Sequence, residues 1–116
     1  MAAVPHSHRQ FLESRPTLHQ AGKCAFVHAG IRPGVALKDQ TETDLVWIRD
    51  AFLKETACFG PLFVHGHTAI DAPTHYGNRV NIDSSAAYGG PLSAIVIEGR
   101  EVFHLTVRGR VGLHPG

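Results

Sequence analysis

Two apolar runs, KCAFVH at 23–28 and PLFVH at 61–65, both stop at a histidine that glycine follows within two residues. Each is short and unbroken, the pattern of a strand buried on both faces. Between them lies TETDLVWIRDAFLKE, in which Leu45, Ile48 and Phe52 recur at helical spacing while Arg49, Asp50 and Lys54 fall on other faces. Thr41 or Thr43 is placed to cap that helix, with Glu42 and Asp44 in its first turn. An earlier helix is predicted over PHSHRQFLES, with Ser7 and Gln10 at capping-box spacing, and Pro16 ends it. AGIRPGVALKDQ and TAIDAPTHYGN read as loops, Gly60-Pro61 as a turn into the second buried strand, and RVNID as a short strand.

The C-terminal part predicts a hairpin, PLSAIVI and EVFHLTV, turning at EGR. On its second strand Phe103, Leu105 and Val107 alternate with His104 and Thr106, so the odd face is expected inward and His104 outward. Residues 108–116, with His114, are expected as a flexible tail after a domain over 1–107. The elements predict a mixed α/β (α+β) fold with about five strands in one sheet. Two helices are too few to cover both faces of such a sheet, so part of it is expected to be bare.

A chain of 116 residues fits one domain, and 43% hydrophobic with 18% charged residues is a globular balance. The formal net charge of +1 nominates neither nucleic acid nor an anionic membrane as a partner. Cys24 and Cys58 lie in apolar stretches without zinc-type spacing and are expected as two buried thiols. No run has the length of a membrane span and MAAVPHSHRQ lacks a signal-peptide core, so a soluble cytoplasmic chain is expected.

Nine histidines direct attention to metal or pH chemistry. His65 and His67 are two residues apart and would share a face of an extended backbone. His28 ends the neighbouring candidate strand, and parallel pairing would bring it towards them. Imidazole at a strand end is a good ligand for zinc, manganese or iron, because the sheet fixes the backbone and leaves the side chain at an open edge. The same histidines also suit a plain hydrogen-bonded role, or a small HxH metal protein of barrel type. No carboxylate stands out as a partner: Asp44 and Asp50 belong to the helix, and nothing marks Asp71 or Asp83 as bridging.

FVHAGIRPG, DLVWIRDAFL, FGPLFVHGHTAID and NRVNIDSSAAYGG, in that order, resemble the C-terminal half of the calcineurin-like metallophosphoesterases. The nearest branch is the bacterial phosphoprotein phosphatase superfamily, which includes serine/threonine phosphatases and diadenosine-tetraphosphate hydrolases. The resemblance implies the second sheet of a four-layer metallophosphatase β-sandwich flanked by helices, incomplete in this chain. It implies a two-metal site (manganese, iron, zinc or nickel) that hydrolyses phosphomonoesters, phosphorylated proteins or nucleoside polyphosphates. Within it His28 and His67 match two histidine ligands of one ion, and His65 a neighbour that lines the site or orients a ligand. Arg49 resembles a basic position of that branch that could hold substrate phosphate, and Arg32, in a loop, is a weaker candidate for the same role.

The GDxHG, GDxxDRG and GNHE motifs of that family's first half do not occur in this sequence. They carry the remaining ligands and the general acid, so the chain is expected to be inactive alone. Ser85 stands where the family has glycine, and a positive φ there would strain it. The alternative expectation is a non-catalytic module that associates with itself, or with a separate N-terminal half, through its uncovered apolar face.

Overall fold

Parallel pairing of the two histidine-terminated runs organises the molecule. In the computed structural model, which describes residues 4–115, β1 (Leu18–Ala21) and β2 (Cys24–Val27) form an antiparallel pair. β2 runs parallel to β3 (Leu62–His65), and β3 parallel to β5 (Arg79–Asn81), with Phe26 opposite Val64 and His65 opposite Asn81. β4 (Thr74–His75) closes the far edge, giving the order β1-β2-β3-β5-β4. A second sheet holds β6 (Ile95–Glu98), β7 (Glu101–Thr106) and β8 (Gly109–Leu113), all antiparallel. The fold is thus mixed α/β with two sheets; the expectation of a single sheet is corrected.

The alternation of side chains explains the two-sheet arrangement. Ala25, Val27 and Phe63 point to one face and pack with Leu45, Ile48 and Phe52 from the helical layer. Cys24, Leu62 and Val80 point to the other and meet Val102 of the second sheet. Leu62, Phe63 and Val80 are wholly buried, and each contributes about 1.5–3 kcal/mol by leaving water. β7 therefore buries Val102, while Leu105 and Val107 are exposed; the expected odd face is the outer one. His104 is partly buried on the same face as Val102. The expected tail instead supplies β8, whose Leu113 pairs with Val102.

The helices are shorter than the periodicity predicts. α1 (His6–Glu13) starts at Pro5 with no side-chain cap, so the Ser7/Gln10 spacing falls inside the helix and does not open it. α1 buries no residue. The expected single helix is broken into α2 (Glu42–Trp47) and α3 (Asp50–Leu53). Thr41 caps α2 by accepting from the Asp44 amide, as expected. Where the helix breaks, the Leu45 carbonyl accepts from the Ala29 amide at 2.9 Å, and Ile48 leaves the helical conformation with ψ 145°. Gly30 lets the chain after β2 pass beneath α3: a β-carbon there would overlap the Phe52 ring. Of the two thiols only Cys24 is buried; Cys58 is exposed, and both are free.

Ser85 has φ 72° and ψ 28°, the left-handed conformation anticipated for a glycine position. Its hydroxyl donates to the Ile70 carbonyl at 2.8 Å, which offsets the strain. Ser85→Ala, which keeps the strain and loses the bond, should lower stability by about 1 kcal/mol. Ser85→Gly trades the bond for relief and should stay within about 0.5 kcal/mol of the parent. Urea unfolding of both variants checks this; equal losses in both would mean that the left-handed backbone carries no penalty.

Candidate functional site

The sheet sets the three histidines in one neighbourhood but gives them different partners. β2 and β3 end in register, and beyond β2 the His28 carbonyl accepts from the Gly66 amide at 2.8 Å. β3 ends at His65, the chain turns through Gly66, and His67 adopts φ 70°. This turn is why the expected shared face of His65 and His67 does not form: the backbone is no longer extended between them. The ring of His67 meets His28, with Nε2 of His28 3.2 Å from Nδ1 of His67 and ring centroids 5.0 Å apart. Trp47 stands edge-on to His67 at 5.6 Å. Nε2 of His67 is shielded from water, and the Trp47 carbonyl lies near enough to favour a proton on the ring.

His65 belongs to the interior. It is 2% exposed, sits edge-on to Phe52 at 5.0 Å, and lies 2.9 Å from a guanidinium nitrogen of Arg79. Burial, then the Arg79 charge, push its pKa down to about 4 against the opposing pull of the Gly66 carbonyl and Asp83. Burial also holds His67 below the usual histidine range, with His28 and Arg49 adding to the effect and Asp83 and the Trp47 carbonyl opposing it. Both rings are therefore neutral near pH 7, the form in which imidazole offers a lone pair.

The helix break places Arg49, which is exposed, close enough to act electrostatically on His67. Arg32 is otherwise engaged: its guanidinium forms a two-pronged pair with Asp44, at 2.8 and 3.2 Å, that fastens the loop after β2 to α2. That pair holds the Asp44 carboxyl below its ordinary range. Below the histidines a cavity of about 720 Å³ opens. Phe26, Val64 and Ile82 form part of its wall, and His28, His67 and Asp83 also line it. It lies on the sheet face bearing Cys24, Leu62 and Val80, which the second sheet covers. The sheet face expected to be bare is largely covered: Val64 is buried, and Phe26 and Ile82 are half-buried.

Two imidazole nitrogens bound to one ion at about 2.1 Å, subtending about 90–110°, lie about 3.0–3.4 Å apart. The 3.2 Å between His28 and His67 fits that geometry. That spacing makes the pair suitable as two ligands of one ion, through His28 Nε2 and His67 Nδ1. Two nitrogens do not complete a coordination shell. Among the described residues no group of three or more His, Cys, Asp or Glu side chains is arranged to hold a metal. Asp83 is the nearby carboxylate, against the Gly66 backbone and accepting from the Ser85 amide.

Arg79 is the site residue that sequence reasoning passed over. Its signal was the polar series Arg79, Asn81 and Asp83, every second residue of a strand whose other side chains are apolar. Among the described residues no helix is long and apolar enough to cross a membrane. Comparison with protein-family models, curated proteins and solved structures finds no match, so the metallophosphoesterase resemblance rests on the quoted motifs alone.

Proposed function

We propose that this chain is the C-terminal portion of a metal-dependent phosphoesterase. In this reading it donates His28 and His67 to one divalent ion of a site whose remaining ligands lie in the GDxHG, GDxxDRG and GNHE half. The observation that supports this is the convergence of His28 Nε2 and His67 Nδ1 at 3.2 Å, at the ends of adjacent parallel strands. A bound divalent ion would supply Lewis-acid activation of water and of a phosphoryl oxygen. This chain's own part is to hold the two imidazoles together, with Arg49 beside His67 as the cation for a substrate phosphate. Arg32 is less suited, because Asp44 already occupies its guanidinium fork. His65 acts from the interior on the turn carrying His67. Substrates are phosphomonoesters or nucleoside polyphosphates.

Calorimetric titration with Zn²⁺ tests the ligand assignment. The chain should take up about one ion, weakly because two imidazoles leave the shell incomplete, and His28→Ala or His67→Ala should each weaken binding further by about tenfold. With p-nitrophenyl phosphate and manganese the chain alone should show no turnover above background, since two imidazoles leave the site incomplete. Turnover that vanishes in His67→Ala would overturn the requirement for the other half.

A further inference from the structure

We propose that Arg79 is a positioning residue: it fixes His65 in a single neutral tautomer and, through it, holds the turn that presents His67 to His28. The bonding directions decide the tautomer. A guanidinium has donors and no acceptor, so the 2.9 Å contact from Arg79 Nη1 requires His65 Nε2 to accept. A carbonyl oxygen only accepts, so the 3.1 Å contact with the Gly66 oxygen requires His65 Nδ1 to carry the hydrogen. Both contacts are satisfied by one form, Nδ1–H with a bare Nε2, and by no other.

The chain of bonds leads to the histidine pair. Arg79 donates to His65 and His65 donates to the Gly66 carbonyl; the Gly66 amide in turn donates to the His28 carbonyl at 2.8 Å. The Gly66 unit is thereby fixed from both ends, between the two segments that bear His28 and His67. His67 occupies a left-handed backbone, which a non-glycine residue keeps only where its surroundings hold it.

Arg79 is itself rigidly seated. It is 6% exposed, lies over the Tyr76 ring at 3.8 Å, and donates through Nη2 to the Leu53 carbonyl at 3.3 Å. No carboxylate pairs with it among the described residues, and its Nε has no hydrogen-bond partner there. A buried cation without a counter-ion is expensive to maintain unless its donors are needed. Its contact with His65 supplies such a need.

The functional consequence rests on the reading of His28 and His67 as metal ligands, whereas the tautomer does not. Two readouts keep them separate. Long-range ¹H–¹⁵N NMR of the imidazole rings should show wild-type His65 as Nδ1–H alone. Arg79→Lys, which retains a donor, should keep that form. Arg79→Leu should give a mixture of tautomers, together with a weakening of Zn²⁺ binding of about tenfold, although neither His28 nor His67 is altered. His65 found as Nε2–H in the wild-type chain overturns the proposal without recourse to any variant. So does a folded Arg79→Leu chain with the His65 tautomer and Zn²⁺ affinity unchanged. Failure of the wild-type chain to bind Zn²⁺ overturns the ligand reading, and the tautomer spectra then decide the role of Arg79.

Discussion

Replacing Phe52 by alanine should lower the free energy of unfolding by about 3–5 kcal/mol, the range for a fully buried phenylalanine. The ring is wholly inaccessible and is the meeting point of the helical layer and the sheet. It stacks on Phe59 at 5.2 Å, stands edge-on to Phe63 at 6.1 Å, and closes over Gly30. These neighbours sit on backbone pinned by sheet and loop bonds, so the vacated volume cannot collapse without breaking them. Such a loss is a large share of the total stability of a domain this size. Urea unfolding of Phe52→Ala measures it. A loss below about 1 kcal/mol would mean that Phe52 is not the keystone described.

The second large effect is acid destabilisation through His65. Its folded pKa of about 4 lies below the 6.5 of the free side chain, so the unfolded chain binds the extra proton first. The stabilisation is complete above pH 6.5 and is lost as pH falls towards 4. The slope is about 1.4 kcal/mol per pH unit, for a total of about 3 kcal/mol. His67 and His75 are also shifted down, chiefly by burial, and add slope of the same sign. Comparison with His65→Gln isolates the contribution of His65. The wild-type chain should lose about 3 kcal/mol more than the variant between pH 7 and 4. Parallel curves would show that the buried ring does not resist protonation. Phe52→Ala should also flatten the acid slope, because it admits water beside His65.

The parts of the fold that could be read from the sequence are those where local pattern and tertiary role coincide. β2 and β3 are apolar on both sides because helices pack on one face and the second sheet on part of the other. Their unbroken runs therefore announced them. Thr41 and the Gly60-Pro61 turn are local devices and were legible for that reason. The break between α2 and α3 was not, since it coincides with a contact distant in sequence, the Ala29 amide on the Leu45 carbonyl. β7 carries apolar side chains on both faces, and only its contact with Cys24, Leu62 and Val80 selects Val102 as the inward one. β1, β4 and β8 are edge strands with few buried residues, so they leave little hydrophobic signature. At the site, strand-end placement and the family resemblance together selected His28 and His67. Arg79 was hidden because a charged residue in a strand ordinarily marks an exposed face.

The most direct measurement of the central claim is a Zn²⁺ titration followed at the ring nitrogens of the nine histidines by NMR. Nε2 of His28 and Nδ1 of His67 should shift together along one saturation curve, while His65 keeps its tautomer. Shifts confined to other histidines, or two independent curves for His28 and His67, would contradict a shared ion at this pair.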